Sequence, residues 1–142
     1  MKVLSAFLSI VVLLTLVSCG DSFDAEAEKE AVVAVSKKID YDQSVADGEA
    51  VLAAFHDDVT LFFSYPPENW SSWTRQDIGP DWFTEPWSAW WEDYEVLVST
   101  DLAVIKGERI DQDNTRSFGT SVFVKEDGQW KLIHYQGSYA GP

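Results

Sequence analysis

Thr115–Tyr139 reads TRSFGTSVFVKEDGQWKLIHYQGSY, and the pairing of its two halves decides the fold. Two alternating runs flank Glu126-Asp127-Gly128, and a Gly in third place of a three-residue loop suits a type I turn closed by a G1 bulge. That loop pairs Lys125 with Gln129. Phe118, Thr120, Val122 and Val124 then share a face with Trp130, Leu132, His134 and Gln136. A two-residue turn at Asp127-Gly128 slips the pairing by one and scatters this apolar set over both faces. The expected face is apolar near the turn and polar at His134 and Gln136, which suits the floor of a pocket.

Upstream, Tyr94–Ile105 (YEVLVSTDLAVI) reads as one strand ended by Lys106-Gly107. Between Tyr65 and Asp93 lie four of the five prolines at Pro66, Pro67, Pro80 and Pro86, and six of the seven tryptophans. The proline-studded first part of this region reads as loop. Thr84-Glu85-Pro86 suits a helix start that puts Trp87, Trp90 and Trp91 on one face. Val59–Phe63 is β-branched and aromatic, hence a strand, with His56-Asp57-Asp58 as the turn before it. Val32, Val35, Ile39 and Val45 fall near one face of an amphipathic helix ending near Ala46, with Lys37, Lys38 and Asp42 elsewhere. Asp47 caps a second short helix, Glu49–Phe55. Helices followed by strands predict an α+β domain with helices on one face of a mainly antiparallel sheet.

The chain has 142 residues and a net charge of −14, one unit more negative once a segment containing Lys2 is removed. That length suits one domain with a real core. So acidic a surface repels phosphate backbones and anionic headgroups, so neither nucleic acid nor electrostatic docking on a membrane is expected. Met1-Lys2 is a short positive start, and the apolar run Val3–Val17 is shorter than the roughly 20 residues a membrane span needs. It has the length of a signal-peptide core. It ends in Leu16-Val17-Ser18-Cys19-Gly20, which resembles the bacterial lipobox, and Cys19 is the sole cysteine. The resemblance implies cleavage after residue 18 and lipidation of Cys19, and two or more acyl chains anchor firmly. The expected organisation is a signal peptide over 1–18, a lipidated Cys and acidic tether over 19–30, and the domain over 31–142. The expected location is the cell envelope, on the periplasmic face of the outer membrane. With one Cys, no intramolecular disulfide forms.

Asp47-Gly48-Glu49-Ala50, Phe55-His56-Asp57-Asp58-Val59, Asp101-Leu102-Ala103-Val104 before Gly107, and Asp127-Gly128-x-Trp130-Lys131-Leu132-Ile133-His134 together resemble the SnoaL-like branch of the NTF2-like superfamily. The resemblance runs from about Glu26 to Tyr139. It implies a cone: helices packed on a curved sheet, with a pocket at the open end. Its members include isomerases, polyketide cyclases, dehydratases and non-catalytic binding or assembly domains. Relatives often carry a second His two residues after the first on the last strand, where this chain has Gln136. A mechanism using a His pair there is therefore not expected. Isomerase-type relatives place a carboxylate base and a Tyr/Asp oxyanion pair in the pocket, and that set matches no particular positions here.

His134 is the first candidate for acid–base work, the usual task of an imidazole, against a structural role within the sheet. Asp101 is a second candidate, against a solvated turn carboxylate. No catalytic residue is assigned from sequence. The expected ligand-binding set is Tyr65, Trp73, Trp90, His134 and Gln136, with Trp70 and Trp82 as further candidates at the mouth and Trp87 in the core with Trp90. His56 and His134 lack metal-ligand spacing, and there is no phosphate-binding Gly-rich loop or nucleophile elbow, so no metal or cofactor is expected. The expected function is binding of a small apolar or aromatic molecule. The alternatives are proton-transfer catalysis on such a molecule and a non-catalytic assembly role. A homodimer is expected through the opposite sheet face, Ser121, Phe123, Ile133 and Tyr135, because monomers generally avoid exposing such a patch.

Overall fold

A computed structural model of the chain describes residues 23–65 and 69–139, the Tyr65 side chain excepted. The segment expected to be a signal peptide and Cys19 lie outside the described residues. Helix α1 spans Ala25–Ser44. Asp24 caps it by accepting from the Glu26 and Ala27 amides at 3.1 and 3.2 Å, and Glu26 and Glu28 sit where the helix dipole favours acids. The helix therefore begins within the stretch expected to be a tether. Glu28 accepts from Trp130 Nε1 at 2.8 Å and from Lys125 Nζ at 2.5 Å, which fastens this first turn to the last hairpin. Those two hydrogen bonds, Lys125 first, hold the Glu28 carboxyl below its ordinary range.

Val32 and Ser36 are buried on the face toward the sheet, where Val35 and Ile39 also pack. Asp42, expected outside the apolar face, is buried with Lys38 Nζ 2.5 Å away, whereas Val45 is exposed. Ala46 turns the chain with φ of 58°, and Asp47 caps α2 (Gly48–Ala53) by accepting from the Ala50 amide, as its sequence predicts.

Six strands follow: β1 (Phe55–Tyr65), β2 (Asn69–Thr74), β3 (Ala89–Val98), β4 (Leu102–Asp111), β5 (Arg116–Glu126) and β6 (Gln129–Tyr139), with a single 3₁₀ turn at Pro80–Phe83. They form one sheet in the order β2-β1-β6-β5-β4-β3, in which only β1 and β6 run parallel. The α+β class and the mainly antiparallel sheet hold.

Several local expectations do not. His56-Asp57-Asp58 belongs to β1 rather than to a turn. Tyr94–Ile105 is two strands, because Ser99 folds the chain back: its amide donates to the Leu102 carbonyl at 2.8 Å, and its Oγ accepts from the Leu102 amide. No helix follows Pro86. Trp90 and Trp91 are consecutive in β3, so their side chains leave opposite faces. Gly107 does not end β4, which runs on to Asp111. It faces a bulge in β3, where a Cβ would lie 2.1 Å from the Asp93 carbonyl oxygen.

The last hairpin corrects the central register argument. Glu126 pairs with Gln129 across a two-residue turn, and Asp127 and Gly128 both have positive φ, 50° and 78°. Primed two-residue turns require this, and they match the twist of the flanking strands. Lys125 therefore shares a face with Trp130, and Phe123 with Leu132. Farther along, Val122 pairs with His134, which leaves Ile133 unpaired as a bulge. The extra residue switches β6 from even to odd positions facing inward. Trp130 and Leu132 point into the core, and beyond the bulge Tyr135, Gly137 and Tyr139 follow the inner face with Ser121, Gly119 and Ser117. His134 and Gln136 therefore lie on the outer face with Val122, Thr120 and Phe118. The contrast on β5 is clear: Phe123 is 1% exposed and Phe118 65%.

The face expected to mediate dimerisation, with Ser121, Phe123 and Tyr135, is thus the interior one. Water instead meets Phe118, Leu97 and Leu102, with Val104, Val122 and Val124 on the same outer face by pairing.

Candidate functional site

A cavity of about 300 Å³ opens between α1, the 3₁₀ turn and the inner face of the sheet. This is the small end of the range for ligand pockets. Its mouth is aromatic. Trp73 meets Trp82 edge-on at 5.0 Å, Phe63 meets Trp73 at 5.6 Å, and Phe63 meets Tyr135 at 5.4 Å. These rings form a continuous arc from the rim inward, and Trp87 lines the cavity nearby. Phe83, Phe123 and Leu132 supply apolar wall.

Part of the lining is polar. Arg109, from β4, places Nη2 2.6 Å from Asp40 Oδ1 on α1, and both side chains are nearly buried at 10% and 15% exposed. The guanidinium carbon lies 4.8 Å from the Trp91 ring centre and 5.8 Å from that of Tyr135, which is cation–π range. Trp91 is itself held by its Nε1 donating to Ser36 Oγ at 3.1 Å. Burial pushes the Asp40 carboxyl above the usual aspartate range, and the Arg109 charge and hydrogen bond only partly offset it. Asp111 is also buried at the cavity wall, where its Oδ1 accepts from the Asp113 and Thr115 amides, both at 2.9 Å.

Glycines make the room for this polar part. Gly107, Gly119 and Gly137 lie opposite one another across β4, β5 and β6. A Cβ on Gly119 would come within 3.1 Å of both Arg109 Cδ and the Trp91 ring, and one on Gly137 within 3.0 Å of the Tyr135 hydroxyl. Glycine there lets the Arg109, Trp91 and Tyr135 layer lie against the sheet.

Of the residues expected at the site, Trp73 lines the cavity, as do Trp82 and Trp87. His134 does not: it stands on the outer face with Nδ1 2.7 Å from Thr60 Oγ1, a partnership within the sheet. Gln136 is exposed on that same face because the Ile133 bulge turned it outward. Trp90 is 44% exposed and borders a separate cleft beside Val33, Lys37 and Tyr94, because β3 is a strand and not a helix. Trp70 is exposed and stacks on Phe62. Asp101 is an exposed turn residue whose carbonyl accepts from the Lys125 amide at 2.9 Å. The Tyr65 side chain and Cys19 lie outside the described residues. Asp40, Arg109, Asp111 and Tyr135 were not among the expected site residues. An acid one turn after Ser36 on the buried side of α1, and an Arg after an apolar strand run, were the signals available.

Comparison with known proteins gives the same architecture. An NTF2-like protein of unknown function from Shewanella baltica superposes with a TM-score of 0.70 at 16% identity, covering 85% of this chain and 100% of its own. A candidate dehydratase of the NTF2-like family from Streptomyces avermitilis gives 0.66 at 15% identity, covering 84% and 100%. A candidate scytalone dehydratase from Novosphingobium aromaticivorans gives 0.63 at 17% identity, covering 82% and 86%. At these identities the likeness establishes the NTF2-like fold. No curated protein matches the sequence. The SnoaL-like domain model matches residues 32–142, most of the chain, and with the cone and its cavity this places the protein in the SnoaL-like domain family.

Proposed function

We propose that this is a lipid-anchored protein of the cell envelope whose cavity binds one small, largely apolar or aromatic molecule. The observation that carries this reading is the cavity itself: about 300 Å³, walled by Trp73, Trp82, Trp87 and Phe63, with a few polar groups, among them Asp40 and Arg109, in its lining. Such a site gains affinity from aromatic burial and orientation from a few polar contacts. Anchoring rests on the lipobox-like Leu16–Gly20 segment and Cys19, with the periplasmic face of the outer membrane as the proposed location. The apolar outer face around Phe118, Leu97 and Leu102 supports pairing of two copies about a twofold axis.

A second reading has one observation in its favour. Asp40 is a carboxyl raised by burial inside the cavity, which is a property of proton-transfer bases. Its hydrogen bond to Arg109 stabilises the charged form and lowers its basicity, so binding is the preferred reading. Native mass spectrometry of the protein purified from its own host, compared with Trp73→Ala, tests the proposal. Retention of one small molecule per chain, reduced in the variant, supports binding; retention unaffected by Trp73→Ala would place the ligand elsewhere.

A further inference from the structure

We propose that the cavity's ligand is a small monoanion, an aromatic or apolar body carrying one carboxylate, with Arg109 as the residue that receives the carboxylate. The proposal rests on the cavity-binding reading above and names its ligand class.

A guanidinium carries five N–H donors in a rigid plane and matches a carboxylate with two parallel bonds. Asp40 engages Nη2 of Arg109, and the guanidinium has no second hydrogen-bond partner among the described residues. No buried side-chain nitrogen or oxygen among the described residues lacks a partner, so the remaining Arg109 nitrogens are reached from open space. Arg109 lines the cavity. The side chain is also pre-positioned: Asp40 holds one edge, Trp91 and Tyr135 hold the group by their rings, and Gly119 leaves room for its stem. A donor fixed before binding costs little ordering when a ligand arrives.

Charge alone does not decide the sign of the ligand, because Asp40 and Asp111 also border the cavity. The fixed geometry of the guanidinium does. Asp40 Oδ1 is engaged by Arg109 and Asp111 Oδ1 by two backbone amides, which leaves each carboxylate one oxygen unengaged among the described residues, whereas the guanidinium presents its further N–H donors fixed in one plane. A carboxylate complements that planar donor set with two parallel bonds. The apolar body then lies along the arc from Tyr135 through Phe63 to Trp73, which its small volume limits to one or two rings.

The test is calorimetric titration of the purified full chain with 2-naphthoate, 2-naphthamide and 2-naphthylmethylammonium, which share a body and differ in headgroup. Naphthoate should bind about tenfold or more tighter than the amide, the effect of charge-assisted hydrogen bonds. Arg109→Gln should collapse that difference. Asp40→Asn, which removes the resident anion while leaving Nη2 a neutral acceptor, should tighten naphthoate binding; it decides the matter if Arg109→Gln does not fold. Equal binding of the amide, tighter binding of the ammonium, or weaker naphthoate binding by Asp40→Asn would overturn the headgroup assignment and leave the cavity reading standing. No binding of any probe would overturn both.

Discussion

Arg109→Met removes one partner of a nearly buried ion pair and strands the other. Asp40 keeps its burial but loses both the charge and the hydrogen bond that hold its carboxyl down. Breaking such a pair from one side costs about 3–5 kcal/mol, since an uncompensated charge is left inside. Asp40 has an escape, because it can take a proton, so the low end, about 3 kcal/mol near neutral pH, is expected. For a domain of this size that lowers Tm by roughly 10 °C. The sign with pH follows from linkage. With Arg109 gone the folded-state pKa of Asp40 rises further above its unfolded value, so the folded state holds a proton that the unfolded state has released. The penalty is therefore small below the unfolded pKa and grows as pH rises until the folded pKa is passed. Urea unfolding at pH 4.5 and pH 7.5 reads this directly, with the larger loss of midpoint at pH 7.5. Asp40→Leu combined with Arg109→Met should recover most of the loss, because an apolar pair of similar volume needs no desolvation. A cost under about 1 kcal/mol, an equal cost at both pH values, or a double variant worse than the single one would refute the reasoning.

Phe118→Asp puts a charge on the apolar outer face and should hold the protein monomeric, whereas the wild type pairs more strongly as salt screens its charge of −14; sedimentation across ionic strength decides, and a wild-type monomer at every salt refutes pairing. Cys19→Ser should abolish incorporation of a fatty-acid analogue and release the protein from membranes; equal labelling of both forms would remove the anchor. Phe123→Ala, at a site 1% exposed, should cost about 3–5 kcal/mol in denaturant unfolding, and near-wild-type stability would contradict its place in the core.

What was legible in the sequence was local. Asp47 announces the start of α2, the alternating runs announce β5 and β6, and the lack of β–α–β alternation announces α+β. The facing of β6 was not legible, because Ile133 reads as an ordinary member of an alternating pattern. Only pairing with both β5 and β1 makes it a bulge. That single residue moved His134 and Gln136 out of the candidate site and Tyr135 into it. The Asp40–Arg109 pair escaped for another reason: its partners lie 69 positions apart and meet only once α1 packs across the sheet. Composition pointed to tryptophans about a cavity, and of those named from sequence Trp73 and Trp82 line it while Trp70 and Trp90 do not. Strand register puts Trp73 against the cavity and turns Trp70 and Trp90 to water, whereas Trp82 reaches the cavity from the 3₁₀ turn while staying partly exposed.

The seven tryptophans also make the most direct test, because each indole N–H is a separate reporter. The measurement is a ¹⁵N NMR titration of the protein with 2-naphthoate, following the assigned indole resonances. The account predicts saturable shifts at Trp73, Trp82 and Trp87, which line the cavity, and at Trp91, which holds Arg109, while Trp70 and Trp90 stay in place. Shifts confined to Trp70 or Trp90, with Trp73 and Trp82 unmoved, would contradict the claim that this cavity is the binding site.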